Sequence, residues 1–463
     1  MESLSSAAFA RLPDGSVAEE GTFRLNDTLK VTLYETSFLS TYGGYPVDFG
    51  KASVEASLTE DIDLSLGTYL NKAYYWYASP YKYFSAQAYT SSGLKASAST
   101  TLQNLTLLVG GEARFVSQEG AKVGLVSWVD TTSKTDTSYS HSGRLKFYGL
   151  YAQATFTPVA ALSIYCGLRF DSYSSYEGKS YYIKSDTRVE TDYPEHSESA
   201  LSPRLGLTVR PSESFEVYGA YGKAFRAPTE YELYNEWYYY STLYKGNPEL
   251  KPEKGELFEL GAAFGGSAFK ISAAGYFGGM NDMIGTRELD SSEVAKYNEE
   301  HGTNFSKIKE KANIAAVDVK GLELGLKVKP LSWVKLEGGF GLNNLTVEDN
   351  PVDTASVGKQ VTGVPEETYY ARLTLERGLL GACLGLRGRS KVFGSSDNSD
   401  TLSGVFGSYD PYTVLDASLW LKLSETAKLS LAVYNLTDEV YYDYYLMPGR
   451  RLEVGVSAEV PVF

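Results

Sequence analysis

From residue 162 the chain sets Leu162, Ile164, Cys166, Leu168 and Phe170 on one parity and Ser163, Tyr165, Gly167, Arg169 and Asp171 on the other. Successive side chains of an extended strand point to opposite faces, so this segment is a strand with one apolar and one polar face. The same period of two returns in Leu322, Leu324, Leu326 and Val328, and in Leu415, Ala417, Leu419, Leu421 and Leu423. Many such segments are joined in pairs by very short polar turns, as at 330–333 and 424–427. Between the pairs run long Tyr-, Asp- and Asn-rich stretches at 172–200, 229–256, 284–312 and 393–410. Short and long connections therefore alternate. A barrel that crosses a bilayer needs this sorting, with tight turns at one rim, long loops at the other, and strands apolar toward lipid and polar toward the lumen. A soluble sandwich would also alternate, but its loops would be of similar length at both ends.

Composition agrees with a membrane barrel. The 463 residues include 38 Tyr and 44 Gly against 16 Pro and 2 Cys. Tyr and Trp favour the membrane–water interface, so the aromatic runs at 74–77, 237–240 and 441–445 read as girdle and loop residues. No stretch of about 18 uncharged apolar residues occurs, which excludes a spanning helix. With 43 basic and 57 acidic side chains the formal charge is −14, against a nucleic-acid partner. The expected fold is all-β: a transmembrane antiparallel β-barrel of roughly eighteen visible strands with short periplasmic turns and long extracellular loops. Its first strand is expected at 23–34 and its last at 452–460. Residues 1–21 read as a loop-like or non-native segment and 22–463 as the barrel. Cys166 and Cys383 lack metal or redox spacing and read as packing residues.

Several short motifs carry more. Phe225-Arg226-Ala227-Pro228 ends a strand on a proline, whose missing N–H stops the ladder and releases the chain into a long loop. Asn247-Pro248 and Lys251-Pro252 stiffen that loop's return, since proline fixes its own φ and restricts its predecessor. Arg226 is a candidate anion contact, with a structural pairing to Glu253 or Glu259 as the plainer alternative.

Taken in order, Leu201-Ser202-Pro203-Arg204-Leu205-Gly206-Leu207, the run from Tyr218 through Phe225-Arg226-Ala227-Pro228-Thr229, and Gly246-Asn247-Pro248-Glu249-Leu250-Lys251-Pro252-Glu253 resemble landmarks of TonB-dependent outer-membrane receptors. Lys320-Gly321-Leu322-Glu323, Gly363-Val364-Pro365, Val433-Tyr434-Asn435-Leu436-Thr437-Asp438 and Gly449-Arg450 continue the series. The resemblance implies a barrel of twenty-two strands around a plug, in the bacterial outer membrane. It implies uptake of a scarce nutrient such as a ferric siderophore or cobalamin. Outer-membrane lipid, the barrel-assembly machinery, a small ligand and, where a plug is present, the TonB energy-coupling complex would be its partners.

On this reading Arg226, Tyr234, Trp237 and Tyr239 face the ligand. Phe225, Pro228, Asn247, Pro248, Lys251, Pro252, Glu253, Asn435, Asp438, Gly449 and Arg450 are structural, and the terminal Phe463 is the assembly signal, although Leu452, Val454 and Val456 sit on the opposite parity. Haem receptors of the family carry a histidine between the two boxes; 229–245 has none, and His141, His196 and His301 fall in expected loops or at their edges. The plug motifs are absent and strand alternation begins almost at once, so an N-terminally incomplete receptor is expected. A passive porin-like channel and a loop-mediated surface adhesin are the alternatives. No G-x-S-x-G, H-E-x-x-H or Walker spacing is present, so no catalytic residue, metal or cofactor is assigned.

Overall fold

In the computed structural model the described residues are 41–458 except 185 and 401, with the backbone of Gly21–Arg24 and Lys30–Leu33. One sheet takes up twenty-one strands in barrel order. Four of them, Tyr42–Gly44, Thr187–Tyr193, Trp237–Tyr239 and Thr242–Lys245, are short pieces of the outer end, and the other seventeen form the wall. Registered antiparallel pairs run without a break from Val47–Thr59 round to Arg451–Ala458. The expected first wall strand at 23–34 is corrected: Gly21–Arg24 and Lys30–Leu33 pair only with each other, as a separate two-stranded sheet.

Eight connections at one rim hold two to four residues, at 60–61, 103–104, 160–161, 213–214, 266–268, 332–333, 378–379 and 423–426. The longest connections, 227–252, 289–306, 350–366, 390–411 and 435–450, all lie at the other. The two rims are thus the periplasmic and extracellular ends. Two stretches expected as loops are largely strand. Lys134–Val159 has 26 residues and Leu162–Lys184 has 23, where about ten suffice to cross the hydrocarbon. The excess stands above the membrane as a sheet, and 172–184 belongs to it. Likewise 284–288 and 307–312 extend the strands Phe269–Glu288 and Lys307–Leu331, and a helix, Ser291–His301, caps their tip. Asp290 starts that helix as a capping box with Glu293, and Gly302 at φ 64° ends it.

Register aligns the apolar parity of neighbouring strands. Ile164, Cys166, Leu168 and Phe170 lie beside Leu207, Leu205, Pro203 and Leu201, forming one lipid-facing band, while Gly167 and Arg169 lie beside Arg204 and Ser202 on the lumen side. Many aromatics occupy that inner face, so the girdle reading of the Tyr excess is incomplete. Tyr69 lies on Gly93, Tyr218 on Gly261, Tyr276 on Gly321 and Trp420 on Gly381, each so close that a Cβ on the glycine would come within 2.0 to 2.4 Å of the ring. Glycine leaves the backbone bare at these points, and the neighbouring ring covers it.

Leu205 sits at the middle of the lipid band, and replacing it with arginine exposes a charge to hydrocarbon. Leu205→Arg is expected to lower the unfolding free energy in lipid vesicles, read by urea titration, by about 2–4 kcal/mol, and the lumen-facing Gln153→Arg by much less.

Candidate ligand site at the outer mouth

Buried side chains gather at the extracellular end, where the loop 227–252 turns back into the mouth of the barrel. Pro228 ends the strand Phe215–Arg226 and is fully buried. Thr229 then caps the five-residue helix Glu230–Tyr234 in a reciprocal box with Glu232. Leu233 and Tyr234 of this helix are completely buried against Leu145 and Leu250. Tyr234 lies over Gly143 and Gly178, where a Cβ would meet its ring at 2.5 and 2.3 Å.

Two buried carboxylates anchor the segment. Glu230 meets His141 Nδ1 at 2.9 Å, with both side chains at most 2% exposed. Burial pushes the Glu230 carboxyl above its ordinary range, and His141 pulls against that rise. Glu236 accepts from Ser180 Oγ and Tyr193 OH, each at 3.0 Å. Beyond them the hairpin Trp237–Tyr239 and Thr242–Lys245 pairs in parallel with the start of Lys307–Leu331. Gly246 closes the loop: its N–H donates to Asn235 O at 2.9 Å, and a Cβ there would strike the Leu233 carbonyl carbon at 2.7 Å.

The mouth encloses a cavity of about 1320 Å³. Tyr75, Tyr77, Tyr83 and Tyr139 line it from the wall, and Tyr231, Trp237, Tyr239 and Tyr240 from the loop. Ser85, Gln87, Lys122 and Asn235 supply the polar groups. Lys122 Nζ stands 4.0 Å from the Tyr83 ring centroid. Burial pushes the Tyr139 hydroxyl up to about 12 and raises that of Tyr77, with Tyr83 adding to the second rise. Both phenols therefore stay protonated and able to donate at neutral pH. The arrangement can stack flat rings, donate hydrogen bonds and neutralise negative charge.

Of the residues assigned to the ligand, Trp237 and Tyr239 line this cavity, with Trp237 stacked on Tyr244 at 4.3 Å. Tyr234 is corrected: it is a packing residue with no exposed surface. Arg226 makes the pairing to Glu253 that the sequence offers as the plainer alternative, and its guanidinium is used as a clasp. It donates to Glu253 at 2.6 Å and to Glu232 at 2.9 and 3.0 Å, while Glu253 accepts the Ile284 N–H at 2.8 Å. Glu259 instead accepts from Tyr218.

The motif residues hold loop ends together. Phe225 pairs with Lys254 across the strands. Asn247, ahead of Pro248, donates to Lys311 O at 3.0 Å, and the Lys251 backbone exchanges two bonds of 2.9 Å with Asn313 beside the buried Pro252. Asn435, at φ 53°, exchanges bonds with Glu439, and Asp438 accepts the Arg450 N–H at 2.7 Å. Gly449 allows that approach, because a Cβ would sit 2.9 Å from Asp438 Oδ1. Phe463 lies outside the described residues.

His141, expected in a loop, is in the strand Lys134–Val159; His196 begins a strand, and His301 stacks on Tyr297 at 4.0 Å. The sequence reading missed the wall tyrosines. Parity was the available signal, since Tyr75 and Tyr77 share it with Asp63 and Asn71 on the inner face.

Comparison with known proteins gives the family and the fold. A family model described as TonB dependent receptor-like, beta-barrel matches residues 7–436. The hemoglobin-haptoglobin utilization protein B of Neisseria meningitidis is 25% identical over 307 residues, covering 62% of this chain and 37% of that protein. An iron-regulated outer membrane virulence protein of Vibrio cholerae is 26% identical over 279 residues, covering 58% and 40%. The chain thus spans about two fifths of the length of the curated relatives it matches. Among solved structures, the ferric-catecholate import receptor Fiu of E. coli superposes with a TM-score of 0.70 at 15% identity, covering 90% of this chain and 65% of that one.

Two consequences of the docked loop can be measured. His141→Ala leaves Glu230 buried without its partner and is expected to weaken docking of 229–236 by about 3–5 kcal/mol. Arg226→Ala removes a guanidinium that is 44% exposed and water-screened, and should cost only about 1 kcal/mol or less. Hydrogen exchange of the loop amides separates the two. Burial alone would raise Glu232 and Glu253, but the bonds from Arg226, joined by those from Thr229 to Glu232 and from the Ile284 N–H to Glu253, together outweigh it and hold both below the ordinary 4.5. The clasp is therefore complete above that value and is lost as pH falls through the lowered range. Protection of 249–254 and of the Thr229 end of the helix, which Glu232 caps, should fall together on acidification.

Proposed function

Because this chain belongs to the TonB-dependent receptor-like β-barrel family, we propose that it is the barrel of an outer-membrane receptor that gathers a scarce iron complex at the cell surface. The tyrosine-lined cavity at the extracellular mouth carries the reading. Its stacking faces, protonated phenols and Lys122 suit an anionic complex whose chelating groups are themselves rings, and a ferric siderophore of the catecholate kind has that chemistry. Import in this reading draws on the TonB energy-coupling complex acting through a plug within the barrel. The wall supplies binding and passage, and the loop 227–252, docked through His141, Glu230 and Glu236, forms the inner side of the binding mouth.

Haem is the competing ligand, and the name of the Neisseria relative points that way for that protein. A haem iron would need an imidazole or a deprotonated tyrosine, and burial keeps the Tyr77 and Tyr139 phenols protonated. No imidazole lies in 229–245, and that of His141, bonded to Glu230 through Nδ1, has its Nε2 against Gly120 and a side chain only 2% exposed.

The test is titration of the purified chain in detergent with a ferric catecholate complex, followed by tryptophan fluorescence. Saturable quenching is expected, with most of the signal lost in Trp237→Phe and affinity at least tenfold weaker, about 1.4 kcal/mol, in a Tyr75→Ala, Tyr139→Ala double variant. Absence of saturable binding, together with a haemin Soret shift that His141→Ala abolishes, would replace this ligand class with haem.

A further inference from the structure

We propose that the lipid-facing wall near the periplasmic rim holds a site for one glycerophospholipid, with an acyl chain in a furrow and the phosphate on Arg377. The furrow is a hollow of about 600 Å³ across the last five wall strands, Glu367–Arg377, Leu380–Arg389, Tyr412–Lys422, Ala427–Tyr434 and Arg451–Ala458. Register sets Leu375, Ala382, Leu419, Leu431 and Val454 in one continuous outward row. The next row toward the rim is Arg377, Leu380, Leu421, Leu429 and Val456. Ala382 is the small member among leucines, so the surface dips there. A second hollow of about 300 Å³ opens from the same Ala382 and continues past Ala417.

Length and direction suit a single acyl chain. Four inter-strand spacings make the row about 19 Å long. Leu375 and Ala382 lie two residues from the periplasmic ends of their strands, whereas Leu431 and Val454 lie four from theirs, so the row climbs into the hydrocarbon away from Arg377.

The foot of the furrow has the chemistry of a headgroup site. Arg377 ends its strand, lines the hollow and forms no ion pair with a carboxylate among the described residues. Its neighbour Glu376 has the opposite parity and bonds Lys422 instead. A guanidinium facing lipid at this level is complementary to a phosphodiester, and can bind it through two parallel hydrogen bonds. Trp333, from the adjacent short turn, lines the same hollow and belongs by preference at the interface. The occupant belongs to the periplasmic leaflet, because the short-turn rim is the periplasmic one. The site is independent of the ligand taken at the outer mouth.

Native mass spectrometry of the whole chain, released from detergent after incubation with phosphatidylglycerol, tests the site. One retained lipid per barrel is expected. Arg377→Ala should reduce that adduct at least fivefold, Arg377→Lys should restore part of it, and Ala382→Leu should fill the furrow and reduce it as well. Heat-dependent gel mobility verifies that each variant is folded. Equal adducts in folded wild type, Arg377→Ala and Ala382→Leu would overturn the proposal. So would equal retention by the wild-type chain of diacylglycerol, which has the tails without the phosphate, a comparison that needs no variant.

Discussion

Inside a bilayer no water is present to satisfy a backbone amide, so every N–H and C=O in the hydrocarbon must be paired within the protein. In this chain the antiparallel ladder does that work, and the rest of the architecture follows from it. Each strand must have a neighbour on either side, which curls the sheet into a barrel. Each strand must also cross, which fixes a minimum length and leaves alternate side chains to face lipid and lumen. The apolar row of Ile164, Cys166, Leu168 and Phe170 and the polar row of Gly167, Arg169 and Asp171 are two faces of one such crossing.

A wall built this way has no central core, so compactness comes from elsewhere. At the extracellular end the strands outrun the membrane, and their inner faces become surfaces on which loops can pack. The helix Glu230–Tyr234 uses one of them, with Tyr182, Tyr297, Phe305 and Ile308 forming a second small core beside it. Buried polar groups then decide where the loop lies. Glu230 and Glu236 are costly to bury alone, and each finds a partner on the wall, His141 for one and Ser180 with Tyr193 for the other. The cavity that remains lies beside these cores, and Tyr139 both packs on one of them and lines it.

The strand pattern, the sorting of the turns and the loop-ending prolines were legible because each depends on neighbours in sequence. Residues brought together across the barrel were not. For Arg226 the sequence offers Glu253 as a partner, but only the fold brings Glu232 to the same guanidinium. Tyr234 looked like a loop aromatic, but it fills a space left by Gly143 and Gly178, the first 91 positions away in the chain. The run 74–77 reads as girdle, yet Tyr75 and Tyr77 line the cavity, because an aromatic run by itself does not say which of its members a neighbouring loop will enclose. The stretches at 172–184 and 307–312 read as loops for their polarity, although a strand above the membrane, wet on its outer face, is free to be polar on both parities.

By itself the sequence determined that this chain is a membrane β-barrel of the receptor kind. Period-two alternation, the alternation of short and long connections and the ordered motifs are local properties, and the bilayer permits few folds that satisfy them. Only the tertiary structure decided which strands extend beyond the membrane, how the loop 227–252 folds back into the mouth, and which tyrosines face the cavity. Those outcomes rest on contacts between residues up to about a hundred positions apart, such as His141 with Glu230, whose energies depend on burial that no local pattern encodes.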